Sequence, residues 1–201
     1  MLLKGALKFL FASLALILVL HWYGAFLLQW LIPLFKWQIH LMDDQYQLID
    51  LSIKNVGTEQ AFSLHVSLAK PLILGGQFIV PDERGTATVS SSVAHVWQMV
   101  VIFQAMLVAW PVERYSDYWR RVAVGFPVLI IVLMLDIPFS LLATLWRLIL
   151  DRLSLEQFSS LLLWNDILES GGRIVLGLVG GLLTVWLSEC VANIKVIPRQ
   201  L

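Results

Sequence analysis

One ionisable side chain stands in the middle of a long apolar run of this sequence. Asp136 lies within Val122–Leu150, and Pro138 follows it two residues later. A carboxylate at membrane depth is costly, so it usually faces a partner, a water-filled cavity or a pathway for ions. The position of Asp136 therefore predicts either a proton or ion relay, or a polar contact that holds a partner.

The other interpretation, which the sequence favours, is a purely structural role for Asp136. Pro138 lacks the N–H that a helix uses and displaces the carbonyl near position 134, so unpaired backbone lies close by. Asp136 could bond to that backbone or to Gln104, which lies near the middle of the preceding apolar run. His21 sits at mid-depth in the first run, and its surroundings favour a helix contact over a relay. We take Asp136, Gln104 and His21 as candidate intramembrane polar contacts, and Pro138 predicts a helix kink.

Enzymatic chemistry has little support in the residue pattern. The single cysteine, Cys190, lies near one end of the last apolar run, and a thiol nucleophile needs a base within hydrogen-bond reach. His40, His65 and His95 belong to the segments expected on the other side of the membrane. No two histidines have the helical spacing of a metal site. We assign no catalytic, cofactor-binding or metal-binding residue and expect no cofactor.

Two glycines predict a packing face in the last apolar run. Gly177 and Gly181 are four residues apart, so they lie on the same side of a helix. Without side chains, they allow a second helix to approach closely in lipid. The partner helix could belong to this chain or to another protein.

Composition places these residues in a membrane protein. The chain has 201 residues, of which 59% are hydrophobic and 14% charged, against roughly a quarter charged in soluble domains. The net charge is zero, so nothing indicates nucleic-acid binding. Tryptophans stand at or near the ends of the apolar runs, as in aromatic belts at membrane surfaces: Trp30, Trp37, Trp110, Trp119, Trp146 and Trp164.

Four apolar runs predict an α-helical multi-pass protein with about four transmembrane helices. The runs are Leu10–Phe35, Val93–Val112, Val122–Leu150 and Ile174–Leu187. The first follows a short basic segment but is too long for a signal peptide, so we interpret it as a retained anchor. Residues 151–169 predict an amphipathic surface helix, which Ser154-Leu155-Glu156-Gln157 would open as a capping box.

The segment between the first and second runs predicts a small antiparallel β domain. Apolar and polar residues alternate over 49–54 and 62–68, and Asn55–Thr58 has the composition of a hairpin turn. Gln77–Val80 and Thr86–Val89 are further strand candidates. Few strands are barely stable alone, so the apolar face should pack on the membrane helices or on another protein. The predicted domains are 1–36 (N-terminus and first helix), 37–94 (β domain) and 95–201 (three-helix membrane region).

Basic residues in short segments predict the orientation. Both termini and the loop 113–121 fall on one side, and their lysines and arginines are denser than those of the longer segments opposite. We therefore expect both termini in the cytoplasm. The β domain and residues 151–172 would lie outside, in the periplasm of a bacterial inner membrane.

The order of these parts resembles the exosortase H-associated membrane proteins of Gram-negative bacteria. The similar features are an N-terminal anchor, an outer β segment, the basic loop Trp119-Arg120-Arg121, the acid in Leu135-Asp136 and a glycine-containing last span. The resemblance implies an accessory of a membrane enzyme that processes C-terminal sorting signals. The cysteine, histidine and arginine pattern of that enzyme is missing from this sequence.

The leading hypothesis is a non-enzymatic accessory or interaction protein of the inner membrane. Its partners would be the lipid bilayer and a membrane protein, either an exosortase-like enzyme or an exported client. The alternative hypothesis is a small proton- or ion-coupled transport subunit built around Asp136. A third is a membrane enzyme of unrecognised type, which would need polar residues clustered at one depth.

Overall fold

The computed structural model describes residues 2–57, 59–74, 77–80, 85–112, 115–153 and 159–194. The chain divides into two compact units, each described by itself. The helical unit comprises Met1–Trp22, Trp97–Leu133 and Gly172–Leu201, and the sheet unit comprises Tyr23–Val96 and Met134–Gly171.

Helices make up most of the described chain. They are α1 (Leu2–Gln29), α2 (Ile32–Met42), α3 (Val93–Ala109), α4 (Tyr115–Leu153), α5 (Ser160–Ile167) and α6 (Arg173–Ile194). Within the described residues, three helical stretches are long and apolar enough to cross a membrane: Gly5–Gln29, Tyr115–Arg152 and Ser160–Ala192. These helices are consistent with the predicted bilayer environment.

The helix α3 corresponds to the second predicted span but is shorter. It has 17 apolar-rich residues, or roughly 26 Å at 1.5 Å per residue, against about 30 Å for the hydrocarbon core of a bilayer. By contrast, α4 has 39 residues and is roughly 58 Å long by the same rise. Part of α4 must therefore extend beyond the hydrocarbon core if the helix crosses a membrane.

The first apolar run, predicted as one anchor, is divided into two helices. The helix α1 ends at Gln29, a turn follows, and α2 begins at Ile32. Pro33 stands in the first turn of α2, where a missing N–H removes no helical hydrogen bond. The eleven-residue helix α2 thus occupies sequence that we predicted as the end of the anchor and the start of the β domain.

The predicted antiparallel sheet is present in the sheet unit. Its three strands are β1 (Tyr46–Val56), β2 (Glu59–Leu68) and β5 (Thr86–Ser92), in the order β1-β2-β5. Gly57 in the β1–β2 turn has φ +65°, a conformation that glycine adopts easily. Two short strands, β3 (Leu72–Leu74) and β4 (Gln77–Ile79), form a separate hairpin.

A bulge in β1 changes which residues face the core. Leu48 pairs with Val66 and Asp50 with His65, so Ile49 is the extra residue of the bulge. Ile49 is half exposed, although its alternation with Leu51 predicted a shared buried face. Before the bulge, the even-numbered Tyr46 and Leu48 share a face with the buried residues of β2. After it, the odd-numbered Leu51 and Ile53 do so.

The apolar face of the sheet packs on helices of the same chain. Phe62, Leu64 and Val66 of β2 are almost completely buried. Phe35 of α2 meets Phe62 edge to face, with ring centroids 6.2 Å apart. The sequence left open whether this face packs on helices or on another protein, and the structure shows helices.

The segment after α4 differs from the predicted surface helix over 151–169. The helix α4 continues through Leu153, and the predicted capping box at 154–157 lies outside the described residues. The helix α5 starts later, where the Ser159 hydroxyl accepts the Leu161 N–H at 3.3 Å. A π-helical turn, Leu168–Gly172, follows α5, and Gly171 within this turn has φ 109°, which breaks the helical backbone before α6 begins at Arg173.

Candidate functional site: the middle of helix α4

Asp136 is buried in the sheet unit and bonded along its own helix. Its side chain is 1% exposed, and the Ser140 hydroxyl donates to its Oδ1 at 3.2 Å. One turn later, the Thr144 hydroxyl donates to the Ser140 carbonyl at 2.8 Å. Asp136, Ser140 and Thr144 form a polar row at a spacing of four. We missed Ser140 and Thr144 in the sequence, although this spacing on a helix was a usable signal.

The carbonyl opposite Pro138 has a donor from another helix. A proline at position 138 cannot donate to the carbonyl of Met134, four residues earlier. Gln38 of α2 donates to this carbonyl through its Nε2 at 3.0 Å. The freed backbone that Pro138 predicts is therefore satisfied by an amide side chain. The helix assignment is continuous through Pro138, and the kink stays a prediction.

The next carbonyl of α4 also accepts a side-chain bond. The indole Nε1 of Trp164 on α5 donates to the Leu135 carbonyl at 3.0 Å. Two successive carbonyls of α4 thus hold α2 and α5 in place. Polar side chains that complete the bonds of a broken helical ladder are a recognised solution within membranes. The chemistry observed around Asp136 is that of helix attachment.

The other two predicted polar contacts lie in the helical unit. Gln104 is half-buried on α3, and His21 is exposed on α1 with its ring edge to face against Trp22. Asp136 belongs to the sheet unit. A contact between Asp136 and Gln104 therefore stays a prediction.

The glycines of α6 pack against α3 in the helical unit. A Cβ on Gly177 would lie 2.8 Å from the Met99 carbonyl oxygen, and one on Gly181 would lie 3.0 Å from Met106. Gly180, which we did not single out, would place a Cβ 3.1 Å from Phe103. The close approach is thus made within the chain, one of the two possibilities that the sequence left open.

Arg121 has a role that the sequence did not reveal. In the sequence, Arg120 and Arg121 served as basic residues of the loop 113–121 that predict the orientation. Arg121 is only 5% exposed, and its guanidinium donates to the carbonyls of Trp110 (2.9 Å) and Pro111 (2.8 Å). These carbonyls follow α3, so Arg121 ties the end of α3 to the start of α4.

The polar side of the sheet unit carries ion pairs near α2. Lys36 of α2 contacts Asp50 of β1 at 3.4 Å, and Lys70 contacts Asp44. The Ser52 hydroxyl, and after it Lys36, lower the pKa of Asp50, while the Lys70 bond lowers that of Asp44. Both carboxylates are therefore ionised at neutral pH.

The described part of the chain contains no assembled site for metal binding or thiol chemistry. Within it, no three histidine, cysteine, aspartate or glutamate side chains are grouped so that they could hold a metal ion. Cys190 is partly buried near the end of α6 and forms no disulfide. The bonds described above engage four donors of the α4 region: the Gln38 amide nitrogen, the Trp164 indole, and the Ser140 and Thr144 hydroxyls.

Comparison with protein-family models, curated proteins and solved structures finds no match for this chain. The functional argument therefore proceeds from the geometry of the two units.

Proposed function

We propose that this chain is a non-enzymatic accessory protein of the bacterial inner membrane that binds a component of an exosortase-type protein-sorting system. The component is either the exosortase-like enzyme or an exported client. In this proposal four helices cross the membrane, with both termini in the cytoplasm and the sheet in the periplasm. The proposal builds on the resemblance in the order of parts and on the following observations.

The main support is the different character of the two faces of the sheet. The apolar face is fastened by Phe35 of α2 and by Trp146 of α4, whose ring lies 6.5 Å from Tyr46. The opposite face is mostly polar. Ala61 and Ser63 of the central strand β2 are buried there, and its exposed residues lie on the outer strands β1 and β5: Gln47, Lys54, Thr86, Thr88 and Ser90. A sheet packed on helices of the same chain, with exposed polar residues on its outer strands, is suited to presenting a binding surface.

The helix α6 offers a second surface. Its glycine side packs on α3, whereas its other side exposes large apolar residues: Ile174, Val175, Leu178, Val179, Leu182, Leu183 and Trp186. Such a face in a membrane protein contacts lipid or a helix of another protein. In this proposal the exposed side of α6 contacts the membrane-embedded part of a partner.

The use of polar groups in α4 favours binding over transport. Gln38 and Trp164 donate to α4 carbonyls, and Ser140 donates to Asp136. The bonds of Gln38 and Trp164 attach α2 and α5 to α4, the Ser140 bond lies within α4, and none of the three requires a transported ion. A relay would instead need polar groups that lead from one side of the membrane to the other.

Co-purification tests this proposal. The tagged chain, co-expressed with an exosortase-like enzyme and a client, should elute with one of them in mild detergent. Ser90→Arg places a charge on the open sheet face and should weaken this complex. The matched control Ser170→Arg changes an exposed serine in the π-helical turn and should not. Elution of the unmodified chain alone, with both candidates present, would contradict the proposal.

Reporter fusions test the orientation. A reporter active only in the cytoplasm, inserted after Gly57, should be inactive, and the same reporter at the C-terminus should be active. Activity after Gly57 would place the sheet in the cytoplasm and overturn the topology. Such a result would not decide whether the chain binds a membrane partner, which the co-purification experiment tests separately.

A further inference from the structure

Three helices of the sheet unit surround a cleft of about 460 Å³. Its lining is mainly apolar: Met42, Phe139, Leu142, Trp146, Leu161 and Trp164. Asp43, at the end of α2, and Ser160, at the start of α5, are the polar residues of the lining. The cleft therefore combines a long apolar wall with one carboxylate and one hydroxyl.

The two indole rings of the cleft are fixed by contacts with the chain. Trp164 is held by its bond to the Leu135 carbonyl at 3.0 Å. Trp146 meets Tyr46 edge to face, with an interplanar angle of 87°. Aromatic groups held in place before a ligand arrives lose little conformational entropy on binding.

The Asp43 carboxylate forms no ion pair with the described residues. Its Oδ1 accepts the Gln45 N–H at 3.0 Å. The cations of the sheet unit that form ion pairs use other acids: Lys36–Asp50, Lys70–Asp44 and Arg147–Asp166. Among the described residues, none forms an ion pair with Asp43. Its negative charge acts on Tyr46, where burial and this charge together raise the pKa of the phenol.

A carboxylate and two indole rings that line the same cleft are a combination that can bind an ammonium group. The ring face attracts a cation, and the acid balances its charge. The apolar residues of α4 offer a surface for an alkyl chain. Trp146 lies near the end of one membrane-length helical stretch and Trp164 near the start of the next, and tryptophans at such ends are typical of headgroup depth. Amine-bearing phospholipids carry both an ammonium group and acyl chains, whereas an anionic headgroup without an amine, such as phosphoglycerol, offers Asp43 no cation.

We propose that this cleft binds one phospholipid with a primary amine headgroup. The ammonium group lies against Asp43 and the indole rings, and part of an acyl chain lies along Phe139 and Leu142. The site is separate from the polar face of the sheet, so it does not depend on the identity of the protein partner.

Native mass spectrometry of the full chain tests this site. The protein in mild detergent is offered equal amounts of phosphatidylethanolamine and phosphatidylglycerol. We expect one retained phosphatidylethanolamine, preferred about tenfold, the ratio that corresponds to about 1.4 kcal/mol. Asp43→Asn should abolish the preference. The matched control Asp44→Asn changes the neighbouring acid, which pairs with Lys70 and does not line this cleft, and should keep it.

A second variant keeps the test decisive if Asp43→Asn fails to fold. Leu161→Trp fills the cleft while the carboxylate stays, and it should lose the retained lipid. Equal retention of both lipids by the unmodified protein would overturn the proposal, as would an unchanged preference in folded Asp43→Asn. A protein partner retained in place of lipid, and released by Asp43→Asn, would overturn the lipid assignment.

Discussion

Gln38 Nε2 donates to the Met134 carbonyl oxygen at 3.0 Å, and this carbonyl lies four residues before Pro138. In an uninterrupted helix, the N–H of residue 138 would be its donor. Proline has no N–H, so an amide from α2 takes its place. The bond connects residues 96 positions apart in the chain and attaches α2 to α4.

A double-mutant cycle measures the connection between Gln38 and Pro138. Gln38→Leu should lower the free energy of unfolding by about 1–2 kcal/mol, because the Met134 carbonyl loses its donor. Pro138→Ala restores a helical N–H, so Gln38→Leu should cost less in that background. Denaturant unfolding in detergent gives both values. Equal costs in the two backgrounds would show that Pro138 and Gln38 act independently.

The sequence predicted the need for this bond but not its donor. Proline chemistry is local, so a freed carbonyl near position 134 follows from Pro138 alone. Gln38 is supplied by α2, a helix that the apolar run to Phe35 concealed. Which distant amide reaches the carbonyl depends on tertiary packing, which a single sequence does not encode in any local pattern.

The sheet, too, could be predicted only in part from the sequence. Alternating residues predicted β1, β2 and their hairpin because a half-buried strand repeats every two residues. The bulge at Ile49 breaks this period, and the sequence carries no glycine or proline there to signal it. Buried Phe62 was predictable, whereas its partner Phe35 lies in the concealed helix α2.

Gly177→Ala tests the close packing of α6 on α3. The added Cβ would lie 2.8 Å from the Met99 carbonyl oxygen, so backbone must move. We expect a loss of about 1–3 kcal/mol in the free energy of unfolding. Gly5→Ala is the matched control, since a Cβ there meets nothing within 4 Å. Thermal unfolding in detergent compares them, and equal melting temperatures would contradict the packing.

Asp136→Asn distinguishes attachment from ion coupling. The amide oxygen of asparagine can still accept the Ser140 hydroxyl, so the variant should fold and accumulate normally. Asp136→Leu removes this acceptor and should cost about 1–3 kcal/mol. Proton flux into proteoliposomes should be the same for Asp136→Asn and the unmodified protein. A proton flux that the unmodified protein supports and a correctly assembled Asp136→Asn variant does not would favour the transport hypothesis instead.

Tyr46 predicts an alkaline limit to the stability of the sheet unit. Burial, and then the charge of Asp43, raise the pKa of Tyr46 above its ordinary value of 10.0. The folded state thus holds its proton more tightly than the unfolded chain. This stabilisation is fully present below pH 10 and is lost as the pH rises towards the folded pKa, because the unfolded phenol ionises first.

Tyr46→Phe should therefore shift the alkaline loss of stability to higher pH. At neutral pH the variant should be neutral or slightly stabilised, because the Tyr46 hydroxyl is buried and finds no hydrogen-bond partner in the described structure. Tyr23→Phe, at an exposed position of α1, is the control and should keep the alkaline loss. Melting temperatures in detergent between neutral pH and about pH 11 give the comparison, since unfolded tyrosine titrates near 10. The same alkaline profile for Tyr46→Phe and the unmodified protein would exclude Tyr46 as the responsible group.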